Sequence, residues 1–116
     1  MKIIIGSDHA GFELKEDIKE YLSDSTIYEI TDMGTFSSDI SVDYPDIADK
    51  VCTNINKYNY GILICGTGIG ISMRANRYNS IRCALCHNLQ TAKLSRKHNN
   101  ANILALGARI LNIEDV

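Results

Sequence analysis

The sequence has no excess of charge, no long apolar run and no dense cysteine pattern, and each absence excludes a class of protein. A formal net charge of -2 argues against a nucleic-acid-binding surface, which is normally basic. No apolar stretch approaches the ~20 residues of a membrane-spanning helix. The opening run, residues 1–6, is broken too soon to be a secretory signal. A cytoplasmic protein is expected, with neither nucleic acid nor membrane as partner. The cysteines, Cys52, Cys65, Cys83 and Cys86, fall short of a secreted disulfide scaffold. Cys83 and Cys86 have C-x2-C spacing, but no second Cys or His pair stands at zinc-ligand distance. No metal site is expected. Repeats, low-complexity tracts and linkers are also missing, and 116 residues suit one domain.

What is there alternates. Short apolar runs at residues 2–6, 26–34, 61–65, 81–86 and 102–107 read as strands. Between them, residues 11–25, 45–58, 71–78 and 89–98 read as helices. Leu14, Ile18, Tyr21 and Leu22 mark one face of the first helix. Pro45 suits a first-turn position in the second, where Ile47, Ala48, Val51, Cys52 and Ile55 form the apolar face. Cys83 and Cys86 fall in the fourth strand, facing opposite ways, and core packing accounts for both. Strand–helix alternation predicts an α/β fold: βαβ units, a parallel sheet and helices on both faces. The uninterrupted apolar strands fit a sheet covered on both sides. Residues 35–43 form the one long polar connection, a lid or a plain link. Lys93, Arg96, Lys97 and His98 read as a solvated helix face. Residues 112–115 look like a helix start with no helix behind it, which suggests a chain shortened at Val116.

In an open α/β sheet, ligands bind beyond the carboxyl ends of the strands, where the strand order switches. If the order begins 2-1-3, the loops after the first and third strands border one crevice. The third strand runs into Gly66, Gly68 and Gly70, a G-x-G-x-G loop. It lacks the lysine of a Walker A loop and the spacing and position of a dinucleotide fingerprint. What remains is shared physics: glycines let backbone amides converge, and the next helix adds the positive end of its dipole. The loop suits an anion, either a phosphate or a transient oxyanion. Cys65 stands directly before it, where amides favour thiolate over thiol, so it is a candidate nucleophile or general base. Asp8 and His9 follow the first strand and suit sugar hydroxyls and proton transfer, or the capping of the next helix. His98 and Asn99 close the fourth helix, at the wrong end of the sheet for their own crevice; a dimer could carry His98 into a partner's.

The segments "GSDHAGFELK", "DYPDIA", "GILICGTGIGISMRAN" and "AKLSRKHNNANILALGAR" together resemble one family, ribose-5-phosphate isomerase type B with its galactose-6-phosphate isomerase relatives. The likeness runs from Met1 to about Leu111. It implies a Rossmann-like three-layer α/β/α sandwich with a five-stranded parallel sheet. It implies the interconversion of ribose 5-phosphate and ribulose 5-phosphate through an enediolate, with no metal or organic cofactor. It further implies a homodimer, sometimes paired into tetramers, with active sites at the interface. By the same resemblance Cys65 is the base; some members use a glutamate four positions later, but Ile69 stands there. Thr67 and His98 match residues of ring opening, and Gly66, Gly68, Gly70 and Ser72 match the loop whose amides hold the enediolate. Asp8, His9, Tyr44 and Asn99 match substrate contacts, and Arg109 matches a phosphate-binding arginine. Family members continue into a further helix and a basic tail. Two other readings stay open: an isomerase of a hexose 6-phosphate (galactose or allose), and a phosphosugar-binding module without turnover.

Overall fold

The computed structural model describes residues 1–112 and 116. The strands are β1 (Lys2–Ser7), β2 (Glu29–Asp32), β3 (Tyr60–Cys65), β4 (Cys83–Leu85) and β5 (Ile103–Gly107). The helices are α1 (Phe12–Ser23), α2 (Tyr44–Cys52), α3 (Ile69–Ala75) and α4 (Leu89–Asn99), with short 3-10 turns at His9–Gly11 and Ile55–Lys57. All the strand pairs are parallel, and the sheet order is β2-β1-β3-β5-β4. The expected three-layer α/β/α arrangement is the one observed.

Alternation along the strands divides the core. Ile4, Leu63 and Cys65 face α2 and α3, packing with Ile47, Val51 and Ile71. Ile5 and Ile64 face the other way, against Leu14 and Ile18 of α1. Helix α4 lies over this second face, beside Ile62 and Leu104, and contains no buried residue.

Several elements differ from the sequence expectation. In α1, Tyr21 is 69% exposed, whereas Lys15 is fully buried. The stripe that meets the sheet runs through Leu14, Lys15 and Ile18, and Tyr21 falls beyond its edge. Strand β2 is shorter than 26–34, because its pairing with β1 begins at Lys2 and Glu29. Strand β4 is shorter than 81–86: it stands at the sheet edge, with β5 as its only strand partner among the described residues. The second helix ends at Cys52, and Ile55–Lys57 forms a separate 3-10 turn. The helix start expected from Asn112 lies largely outside the described residues. No helix is long and apolar enough to cross a membrane among the described residues.

The strand order switches sides between β1 and β3: β2 lies on one side of β1, and β3 and β5 follow on the other. Ser7 and Ile64 are partners at the strand ends, so the loops that begin at Asp8 and Gly66 start side by side.

Candidate active site

Cys65 ends β3 on the α2/α3 side and is 4% exposed. Its Sγ accepts the Gly68 amide at 3.1 Å. Gly68 makes that contact with φ +79, a left-handed conformation suited to glycine. A Cβ there would also meet Leu85 at 2.5 Å and the Leu106 carbonyl carbon at 2.9 Å. The chain then enters α3. The Ile69 amide donates to Thr67 Oγ1 at 3.2 Å, while Gly70 and Ile71 have no acceptor for their amides among the described residues. Those two N–H groups, at the start of a helix, can receive negative charge.

Two distant side chains close on this loop. The Arg109 guanidinium lies 3.1 Å from where a Cβ on Gly66 would stand, and the Arg109 amide donates to the Gly66 carbonyl at 2.9 Å. The Tyr44 ring packs so closely on Gly70 that a Cβ there would sit 2.6 Å from it. Tyr44 opens α2, next to Pro45 in the first turn. A single chain therefore brings Tyr44, Cys65, Gly66, Thr67, Gly68, Gly70 and Arg109 together.

Ser72 belongs to the same segment but is turned inward. Its amide donates to the Gly68 carbonyl at 3.1 Å and its hydroxyl to the Ile69 carbonyl at 2.8 Å, so both are committed to the helix.

On the β1 side, the Asp8 amide donates to the Ile64 carbonyl at 3.1 Å, and Asp8 Oδ1 accepts the Gly11 amide at 3.1 Å. Asp8 thus caps the turn before α1, as the sequence allowed. His9 Nδ1 accepts the Val42 amide at 3.1 Å. An amide only donates, so the neutral ring carries its proton on Nε2. The connection at 35–43 is thereby tied to the β1 loop.

His98 and Asn99 are not brought to this cluster. They end α4 at the opposite edge of the sheet, where His98 lines an open groove of about 330 Å³ with Leu85, Cys86 and Leu94. The Asn99 carbonyl accepts Arg82 Nε at 2.6 Å. The basic residues of α4 are exposed, although Arg96 stacks 4.7 Å over the Tyr60 ring and reaches its hydroxyl at 3.0 Å.

Sequence reasoning missed one polar network. Lys15 Nζ donates to Asp32 Oδ2 at 2.5 Å, and Lys19 Nζ donates to the same oxygen at 2.8 Å. Asp32 Oδ1 accepts the Gly34 amide at 2.8 Å. Burial pushes the Asp32 carboxyl up, but the hydrogen bonds from Lys15, Lys19 and Gly34 outweigh it and hold the group below 3.8. No cluster of three or more His, Cys, Asp or Glu side chains able to hold a metal occurs among the described residues.

A family model described as Ribose/Galactose Isomerase matches residues 3–116. Ribose-5-phosphate isomerase B of Escherichia coli (strain K12) is 44% identical over 115 residues, which are 97% of this chain and 76% of that protein. The solved ribose-5-phosphate isomerase B of Clostridium thermocellum superposes with a TM-score of 0.94 at 48% identity, covering 99% of this chain and 78% of that one. The corresponding Thermotoga maritima structure gives a TM-score of 0.94 at 53% identity, covering 98% and 79%.

Proposed function

The chain belongs to the ribose/galactose isomerase family, and from that premise we propose that it interconverts ribose 5-phosphate and ribulose 5-phosphate. An acid–base pair, Thr67 and the partner subunit's His98, opens the furanose: a proton leaves the anomeric hydroxyl and one reaches the ring oxygen. The deprotonated Cys65 sulfur then takes the proton from C2. The electron pair flows into the aldehyde, and the resulting enediolate oxygen is held by the Gly70 and Ile71 amides. Returning the proton to C1, while the O2 proton moves to O1, completes the ketose. Arg109, whose guanidinium lies against Gly66, holds the phosphate in this reading, and Asp8, His9, Tyr44 and the partner subunit's Asn99 contact the sugar hydroxyls. No metal or organic cofactor enters this sequence. Ser72 contributes by shaping the helix start, since its own donors are satisfied.

The observation that carries the reading is the Gly68 amide on Cys65 Sγ, 3.1 Å away, beside two first-turn amides with no acceptor among the described residues. On this reading the base and the oxyanion donors come from one seven-residue stretch, Cys65 to Ile71. The test is proton exchange at C2 of ribose 5-phosphate in heavy water. Wild-type protein should exchange and isomerise, whereas Cys65→Ala should do neither while keeping its fold. Iodoacetamide should alkylate Cys65, and ribose 5-phosphate should slow that alkylation. Exchange that survives Cys65→Ala would remove the sulfur from the mechanism.

A further inference from the structure

Lys15 is 0% exposed, and the reaction proposed above does not use it. Its ammonium lies 5.2 Å from the centroids of both the Phe12 and Phe36 rings. It donates to Asp32 at the end of β2, and at 3.3 Å to Glu16. From Asp32 the bonds continue toward the site. Asp32 holds the Gly34 amide, the Gly34 carbonyl accepts the Ser7 amide at 2.8 Å, and the Thr35 amide donates to the Ser7 carbonyl at 2.7 Å. Ser7 directly precedes Asp8. At its other end the same connection places Val42 on His9 Nδ1 and delivers Tyr44 to Gly70.

We infer that Lys15 is a positioning residue for the sugar-phosphate site: its buried ammonium, locked to Asp32 beneath Phe36, fixes the first turn of the 33–43 connection and through it the His9–Val42 and Tyr44–Gly70 contacts. A buried ion pair adds little net stability over a well-packed apolar side chain. What it supplies is one geometry, because the charge accepts few arrangements of its partners. The kinetic part of this inference rests on the isomerase reading; the structural part does not.

Lys15→Met tests it, since methionine fills similar space and Asp32 keeps Lys19 at 2.8 Å. The variant should fold. Amide hydrogen exchange at Gly34, Thr35 and Val42 should quicken, with protection in α2 and β3 unchanged. On ribose 5-phosphate, kcat/KM should fall by about tenfold or more, as a slight misplacement of contacts does. Lys15→Arg should recover part of that loss. Phe36→Ala is the second variant: this ring is 72% exposed, so the fold does not depend on it. It should reproduce the same local exchange pattern more weakly, and it carries the test should Lys15→Met fail to fold. Unchanged exchange at those amides, or a uniform loss of protection across the molecule, overturns the inference. Exchange needs no turnover, so an inactive wild-type protein would sink the isomerase reading while leaving this one open to the same measurement.

Discussion

Burial pushes the Cys83 thiol up to about 12 and, with help from the nearby Asp49 charge, the Cys52 thiol up to about 11, so both stay protonated in the core at neutral pH. Cys65 packs in the same core as Cys52 and differs from it in accepting the Gly68 amide at the end of β3, just before the loop that the glycine spacing made legible from sequence. Lys15 was not legible. A lysine inside an amphipathic pattern reads as solvent-facing, and its partner Asp32 lies 17 residues away. That partner yields a pH prediction. The folded Asp32 carboxyl titrates below 3.8, so its contribution to stability is fully present above 3.8 and is lost as pH falls through the folded value. The Lys19 ammonium is raised above 10.5, mainly by its hydrogen bond to Asp32; its contribution is present below 10.5 and is lost as pH rises through the folded value. Asp32→Asn removes both. The variant should be less stable than wild type at neutral pH, and the gap should narrow toward both extremes. Urea midpoints measured across pH read it out; a gap of constant size would mean the charge contributes nothing.

Helix α4 has no buried residue, so it rests on local interactions more than the other helices do. Its start is held by Asn88, whose Oδ1 accepts the Thr91 amide at 2.8 Å and the Thr91 hydroxyl at 3.0 Å. Losing such a cap costs about 1 kcal/mol. Asn88→Ala should therefore fray α4, raising amide exchange over 89–95 by several-fold while β3 and α2 keep their protection. Uniform exchange across the fold would show instead that α4 melts only with the whole domain. The elements themselves were largely readable, because apolar runs of strand length alternate with helical periodicity. Their ends were not. Where β2 begins depends on pairing with Lys2, and where β4 ends depends on its place at the edge of the sheet. Neither fact is local to the segment concerned.

Cys65 closes β3 at the carboxyl edge of the sheet, whereas His98 closes α4, the helix that runs back toward the start of β5. That placement was legible in the sequence, since His98 closes the helix that precedes the last strand. The mechanism proposed above takes the second group from another copy. The exposed face that includes Leu94 and His98 is available for that contact. A symmetric dimer would hold two sites, each with Cys65 from one chain and His98 from the other. Co-expressing Cys65→Ala and His98→Ala chains under different tags, then purifying the mixed dimer through both tags, tests this directly. In the mixed dimer one site carries both substitutions and the other carries neither. Each homodimeric variant should be nearly inactive, while the mixed species should regain about half the wild-type activity. If each chain instead completed its own site, every site in the mixed dimer would lack one group. Activity would then stay at the level of the single variants, and the shared-site mechanism would be wrong.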